Sequence, residues 1–215
     1  MKAEGGMGTG IKHLYNWLVQ IESIPGSPPA TVDLGHVRLR YYHLNYPDFT
    51  DTNNLSLVTF VSYGGFTILF PGDLETQGWL KLLENPNFAA DVRRTTVLVA
   101  SHHGRENGCC EELYRGDENW PIDWQPKATI ISDAGIEYAT QETTNWYSYR
   151  TKGCIAHDGT ERKIFTTRND GKIIINVGAT GWSIGPSGTT RQQEPSQQAL
   201  IDALYAHYRR LGYRL

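Results

Sequence analysis

Residues 53–75 read NNLSLVTFVSYGGFTILFPGDLE, and residues 95–104 read TTVLVASHHG. Two apolar β-type runs, residues 66–70 and 96–100, each end abruptly in metal-ligand chemistry. The first runs into Pro71-Gly72-Asp73, the second into Ser101-His102-His103-Gly104. A carboxylate at one strand end and a histidine pair at the next are the ingredients of half a site for a divalent metal. Each element alone has a plainer reading. Asp73 suits the N-cap of a helix expected over residues 74–83, and His102 and His103 could be ordinary loop histidines. Together, separated by one helical connection, they reinforce each other.

Working outward, residues 55–62 and 66–70 read as the arms of a β-hairpin joined by Tyr63-Gly64-Gly65, a strong turn signal. Upstream, residues 36–42 (HVRLRYY) read as a strand, and residues 45–54 as a polar turn. Residues 11–24 carry apolar side chains at helical spacing, and Pro25-Gly26-Ser27-Pro28-Pro29 ends that segment. Downstream, residues 128–132 (ATIIS) form a short apolar strand, and residues 141–150 an aromatic helix. Residues 163–167 and 172–177 flank Arg168-Asn169-Asp170-Gly171, whose Asp-Gly pair predicts a hairpin turn. Residues 178–195 read as a Gly/Ser/Thr/Gln-rich linker, and residues 196–211 as a final amphipathic helix. Strands alternating loosely with helices, plus two hairpins, predict an α/β (α+β) fold with a mixed sheet.

The chain of 215 residues is long enough for one sizeable core, and its net charge of −3 gives no global pull toward nucleic acid or membrane. Nucleic acid is therefore a partner unsupported by charge. No run reaches the roughly 18 apolar residues of a membrane span. The opening MKAEGGMGTG lacks the pattern of a secretory signal, which makes the cytoplasm the expected compartment. Cys109 and Cys110 are adjacent and cannot readily pair; with Cys154 they read as reduced thiols. Cys109 as a thiolate ligand is the alternative.

The run NNLSLV…GGFTILFPGDLE…VLVASHHG resembles the C-terminal half of a metallo-β-lactamase-fold hydrolase, of the kind found in ComEC/Rec2-type DNA-uptake proteins. ATIISDAG and IFTTRNDGKIIINV resemble its later strands, so the likeness covers residues 36–177. It implies the C-terminal portion of an αββα sandwich over residues 36–178, preceded by a helix and loop (1–35) and followed by a linker and helix (179–215). It also implies a metal-dependent hydrolase, using Zn or Mn, in which a metal-activated water attacks a phosphodiester or related ester. Asp73 then matches the carboxylate that bridges two metals, and His102 or His103 the late histidine ligand. Asn53, Asn54 and Ser56 match the polar turn near the site, Asn54 and Ser56 being candidate substrate-binding residues. Arg105, directly after the His-His-Gly run, is placed to steady a phosphate. His43 and His157 are weaker candidates, and Tyr138, Thr140 and Glu142 fall where related enzymes shape substrate access.

The main motif of that family, His-x-His-x-Asp-His, is absent: no two histidines of this chain stand two residues apart. The first half of the site must then come from a longer parent protein or a partner chain. Alternatively, the chain is a catalytically inactive half-domain that serves binding or assembly.

Overall fold

The computed structural model describes residues 31–33, 35–116, 123–136, 138–178 and 181–187. The chain enters at a sheet edge with β1 (Thr31–Asp33), antiparallel to β2 (Val37–Tyr42). β2 pairs with β3 (Val58–Tyr63), and β3 with β4 (Phe66–Phe70), both antiparallel. Tyr63 faces Phe66 across a turn in which Gly64 and Gly65 take φ of 53° and 84°. That two-residue turn needs left-handed backbone at both positions, which glycine adopts without a Cβ clash. Two helices follow, α1 (Thr76–Leu83) and α2 (Pro86–Arg93), and then β5 (Val97–Val99).

Beyond β5 come the His-His-Gly turn, β6 (Ala128–Ile131) and α3 (Thr144–Tyr149). The small ladder β7 (Cys154–Ile155) with β8 (Glu161–Arg162) leads into β9 (Ile164–Thr166). One helical turn, α4 (Thr167–Asp170), precedes β10 (Ile173–Gly178) and β11 (Gly181–Pro186), which among the described residues pair only with each other. Among the described residues the main sheet has seven strands in the order β1-β2-β3-β4-β5-β6-β9. It is antiparallel up to β4 and parallel through β4, β5, β6 and β9. This is the expected α+β class, with a mixed sheet, hairpins and flanking helices.

Both faces of the sheet are covered, which is why Phe66–Leu69 are buried without a break rather than alternating. One face packs on the helices: Phe60 and Leu69 meet Trp79, Leu82, Phe88 and Val92. Phe88 stands edge-on to both Tyr42 and Phe60, at 5.0 and 5.7 Å between ring centroids. Pairs of this geometry add about 0.5–1.5 kcal/mol beyond the area they bury. On the other face the β10–β11 hairpin covers Phe66, Ile68, Ala128 and Phe165, with Trp182 tilted against Phe66 at 5.4 Å.

The structure departs from the sequence reading at five points. Asp73 does not cap α1: the cap position is Glu75, whose side chain makes no capping bond, and the caps come from Asn54 instead. The helix α2 has no counterpart in the sequence reading, although Asn85 accepting the Asn87 N–H, with Pro86 at the first helical position, is a recognised start signal. Asp170-Gly171 does not turn a hairpin; residues 167–170 wind into a helical turn that Gly171 ends at φ 64°. β9 consequently joins the main sheet while β10 finds β11, so part of the segment read as a linker is a strand. The aromatic helix begins at Thr144, with a tight turn over Ala139–Gln141 before it. The helices expected over 11–24 and 196–211 lie outside the described residues. Among the described residues, no helix is long and apolar enough to cross a membrane.

Candidate functional site

β4 and β5 are parallel neighbours, so the loops leaving them emerge on one edge of the sheet. Backbone and hydroxyl contacts lock those two loops together. The His102 N–H donates to the Gly72 carbonyl at 3.0 Å, and the Ser101 hydroxyl donates to the Leu74 carbonyl. Beneath them, Ser56 Oγ accepts the Asp73 N–H at 3.0 Å. Asp73 and the histidines are thus placed by atoms of three segments far apart in sequence.

His102 and His103 both occupy the left-handed region, at φ 49° and 55°, followed by Gly104 at 73°. Non-glycine residues pay roughly 1–2 kcal/mol each for that conformation, and such strain concentrates at functional sites. Gly104 is required for a second reason: a Cβ there would lie 2.9 Å from Ile131 Cγ2. The Thr143 hydroxyl holds the Gly104 carbonyl from the far side. The outcome is that the two imidazoles part company.

His103 is half exposed and turns its Nε2 to Asp73 Oδ1 at 3.5 Å. Its Nδ1 lies 2.8 Å from the Ser132 carbonyl, which can only accept, so Nδ1 carries the proton. In the neutral ring Nε2 is then left with its lone pair facing the carboxylate, the arrangement that orients histidine ligands in metal sites. Two ligands about 2.0–2.1 Å from a tetrahedral zinc stand about 3.3 Å apart, close to the observed spacing. His102 is buried, and its Nδ1 faces Glu75 Oε1 at 3.4 Å without a hydrogen bond. That same oxygen accepts from Asn53 Nδ2 at 2.9 Å and Asn107 Nδ2 at 2.6 Å.

A comparison of two variants tests the strain. Each removes the imidazole of His103, so only the backbone preference differs between them. His103→Gly is expected to be about 1 kcal/mol more stable than His103→Ala in urea denaturation, the reverse of the usual order. An alanine variant as stable as the glycine one would show that the turn holds no such strain.

The other candidates take varied places. Asn54 is buried, its Oδ1 accepting the N–H groups of Glu75 and Gly78 at 3.1 and 3.0 Å. Arg105 lies over the Tyr138 ring at 5.1 Å, and its buried Nε has no hydrogen-bond partner among the described residues. His43 is exposed, and His157 contacts Ser183 near the β10–β11 hairpin instead. Cys109, Cys110 and Cys154 are unpaired; burial pushes the Cys109 thiol up to about 11 and Cys110 to about 12, which disfavours thiolate ligation. Glu75, Asn107 and Ser132 were not singled out in the sequence. Glu75 could have been, because it closes the same Gly-Asp-Leu-Glu run. Beside the His-His-Gly turn a cavity of about 550 Å³ is lined by Glu106, Glu111, Glu112 and Glu142, with Trp146 as an apolar wall.

Asp73 and His103 are two donor side chains 3.5 Å apart. Among the described residues, no group of three or more His, Cys, Asp or Glu side chains could hold a metal ion. Over 87 residues, 40% of this chain, the sequence is 36% identical to ComE operon protein 3 of Bacillus subtilis (strain 168). That match spans 10% of the relative's length. No family model matches the chain, and no solved structure matches it.

Proposed function

We propose that Asp73 and His103 are the later ligands of a divalent-metal hydrolytic site of the metallo-β-lactamase kind, acting on a phosphodiester or related ester. The observation that carries this reading is the 3.5 Å approach of His103 Nε2 to Asp73, with Nδ1 held by Ser132. A strained turn spends stability to keep that imidazole in place, which a structural loop histidine does not require. A Zn or Mn ion, when bound, would supply Lewis-acid polarisation and an activated water. The chain's own residues hold and orient: Asp73 and His103 as ligands, with buried His102 and partly buried Glu75 behind them. Asn54 and Ser56 act by holding the Asp73 loop, and Arg105, next in sequence after the His-His-Gly turn and set over the Tyr138 ring, is the candidate anion-steadying cation. The remaining ligands come from outside the described residues, in a longer parent protein or a partner chain. The partial similarity to ComE operon protein 3 supports a competence-related setting.

The second reading, a catalytically silent half-domain for binding or assembly, is favoured by the two-ligand count among the described residues. Zinc and manganese sites of two protein ligands bind weakly, because three or four are usual. Zinc titration of the full chain by calorimetry is expected to show weak binding that Asp73→Ala and His103→Ala each abolish. Unchanged stoichiometry in Asp73→Ala would refute the placement. Elemental analysis of the purified chain separates the two readings, since close to two metal ions per chain would sink the silent half-domain.

A further inference from the structure

The opposite edge of the sheet carries a second polar constellation. β4 runs away from the Gly64-Gly65 turn toward Asp73, so that turn and the start of β2 lie a full strand length from the metal-ligand edge. There, past the end of α2, the sheet opens into a cavity of about 540 Å³. Its walls carry Arg38 and Arg40 from β2 and Arg94 from the end of α2, against one carboxylate, Asp91.

That carboxylate is already satisfied. Arg40 Nη1 reaches both Asp91 oxygens at 2.9 and 2.8 Å, and the Tyr42 hydroxyl donates to Oδ2 at 2.7 Å. Arg94 stays 3.7 Å from Asp91, beyond hydrogen-bond range, with its side chain 64% exposed. Arg38 is exposed and has no hydrogen-bond or ion-pair partner among the described residues. Two guanidinium groups, one from the sheet and one from the helix end, therefore border one cavity, Arg38 without a partner among the described residues and Arg94 in only a loose 3.7 Å ion pair with Asp91. Each offers five N–H donors in a planar fork that matches phosphate oxygens. The paired Ser62 and Thr67 hydroxyls, 2.9 Å apart, line the same cavity. Tyr63 and His36 stand at right angles, with ring centroids 6.5 Å apart, and offer flat faces beside it.

We propose that this cleft binds a small phosphate ester of nucleotide size, its phosphate between Arg38 and Arg94 and its ring system against Tyr63 and His36. The volume falls within the range of small-molecule pockets. The cleft is confined to one sheet corner, and the chain's net charge of −3 gives no global pull toward a nucleic-acid strand. This inference is independent of the metal reading.

Calorimetric titration of the full chain with AMP and with inorganic phosphate at low ionic strength tests it. AMP is expected to bind saturably and more tightly than phosphate. Arg38→Ala and Arg94→Ala should each weaken AMP about tenfold, the scale of one charge-assisted hydrogen-bonding group. Tyr63→Ala should weaken AMP but not phosphate, and Asp73→Ala should change neither. Both arginines are exposed, so unchanged melting curves will show that their variants fold. Absence of saturable AMP binding, or AMP binding retained in the Arg38→Ala/Arg94→Ala double variant, overturns the proposal. AMP no tighter than phosphate overturns the ring contact. An oligothymidylate that displaces AMP with a steep salt dependence overturns the small-ligand class in favour of a strand.

Discussion

Trp79→Ala is expected to lower the unfolding free energy by about 3–5 kcal/mol, the range for deleting a fully buried aromatic. Trp79 is 1% exposed and sits in the core cluster that joins α1 and α2 to the sheet, tilted against Phe88 of α2 at 6.1 Å. Its indole N–H also donates to the Gly108 carbonyl at 3.1 Å, so the side chain ties the helix to the loop that follows the His-His-Gly turn. Truncation therefore opens a cavity and frees a buried carbonyl at once. Trp79→Phe keeps most of the apolar volume and should recover more than half of the loss. Urea denaturation followed by far-ultraviolet circular dichroism measures both. A cost below about 1 kcal/mol for the alanine variant would mean that the core can collapse around the site.

Asn54→Ala comes next, at about 2–4 kcal/mol. Asn54 Oδ1 is the acceptor for two backbone donors at the start of α1, Glu75 and Gly78, and its Nδ2 donates to Asp51 Oδ2 at 3.0 Å. Alanine leaves two N–H groups unsatisfied, each costing about 1–3 kcal/mol when buried. The neighbouring Asn53→Ala removes a single partly exposed contact to Glu75 and should cost about 1 kcal/mol or less. Denaturation of the two variants side by side is the check. Equal losses would mean that the cap is not where the stability resides. If Asn54→Ala also weakens zinc binding while Asn53→Ala does not, the cap acts on the site through the Asp73 loop.

Much of the fold was legible because its signals are local. The hairpin around Gly64-Gly65 follows from two apolar runs and a turn that only glycine makes cheaply. The largely buried strands Phe66–Phe70, Val97–Val99 and Ala128–Ile131 follow from apolar runs too short for helices. Where the reading failed, the deciding interaction was distant in one case and a competing local one in the other. Asp73 has the composition of a cap, but Asn54, about 20 residues earlier, occupies the acceptor position. Asp170-Gly171 has the composition of a hairpin turn, but Thr166 and Asp170 wind the chain locally: Asp170 accepts the Thr166 N–H at 2.8 Å and two bonds from Arg162. Strand pairing is a contest among edges, and short-range signals do not reveal the winner.

The site divides in the same way. The sequence alone determined that a carboxylate and a histidine pair stand at the ends of two buried strands, because strand ends and ligand types are written in consecutive residues. Which histidine meets Asp73, and in which tautomer, only the tertiary structure decided. Adjacent side chains diverge, and their directions here depend on two left-handed residues held by Gly72, Ser132 and Thr143 from separate segments. The role of Glu75 behind His102, and the pairing of Arg38 with Arg94 across the far cleft, rest on the same physics. Groups separated by tens of residues become neighbours only when the sheet brings their strands and helix ends together.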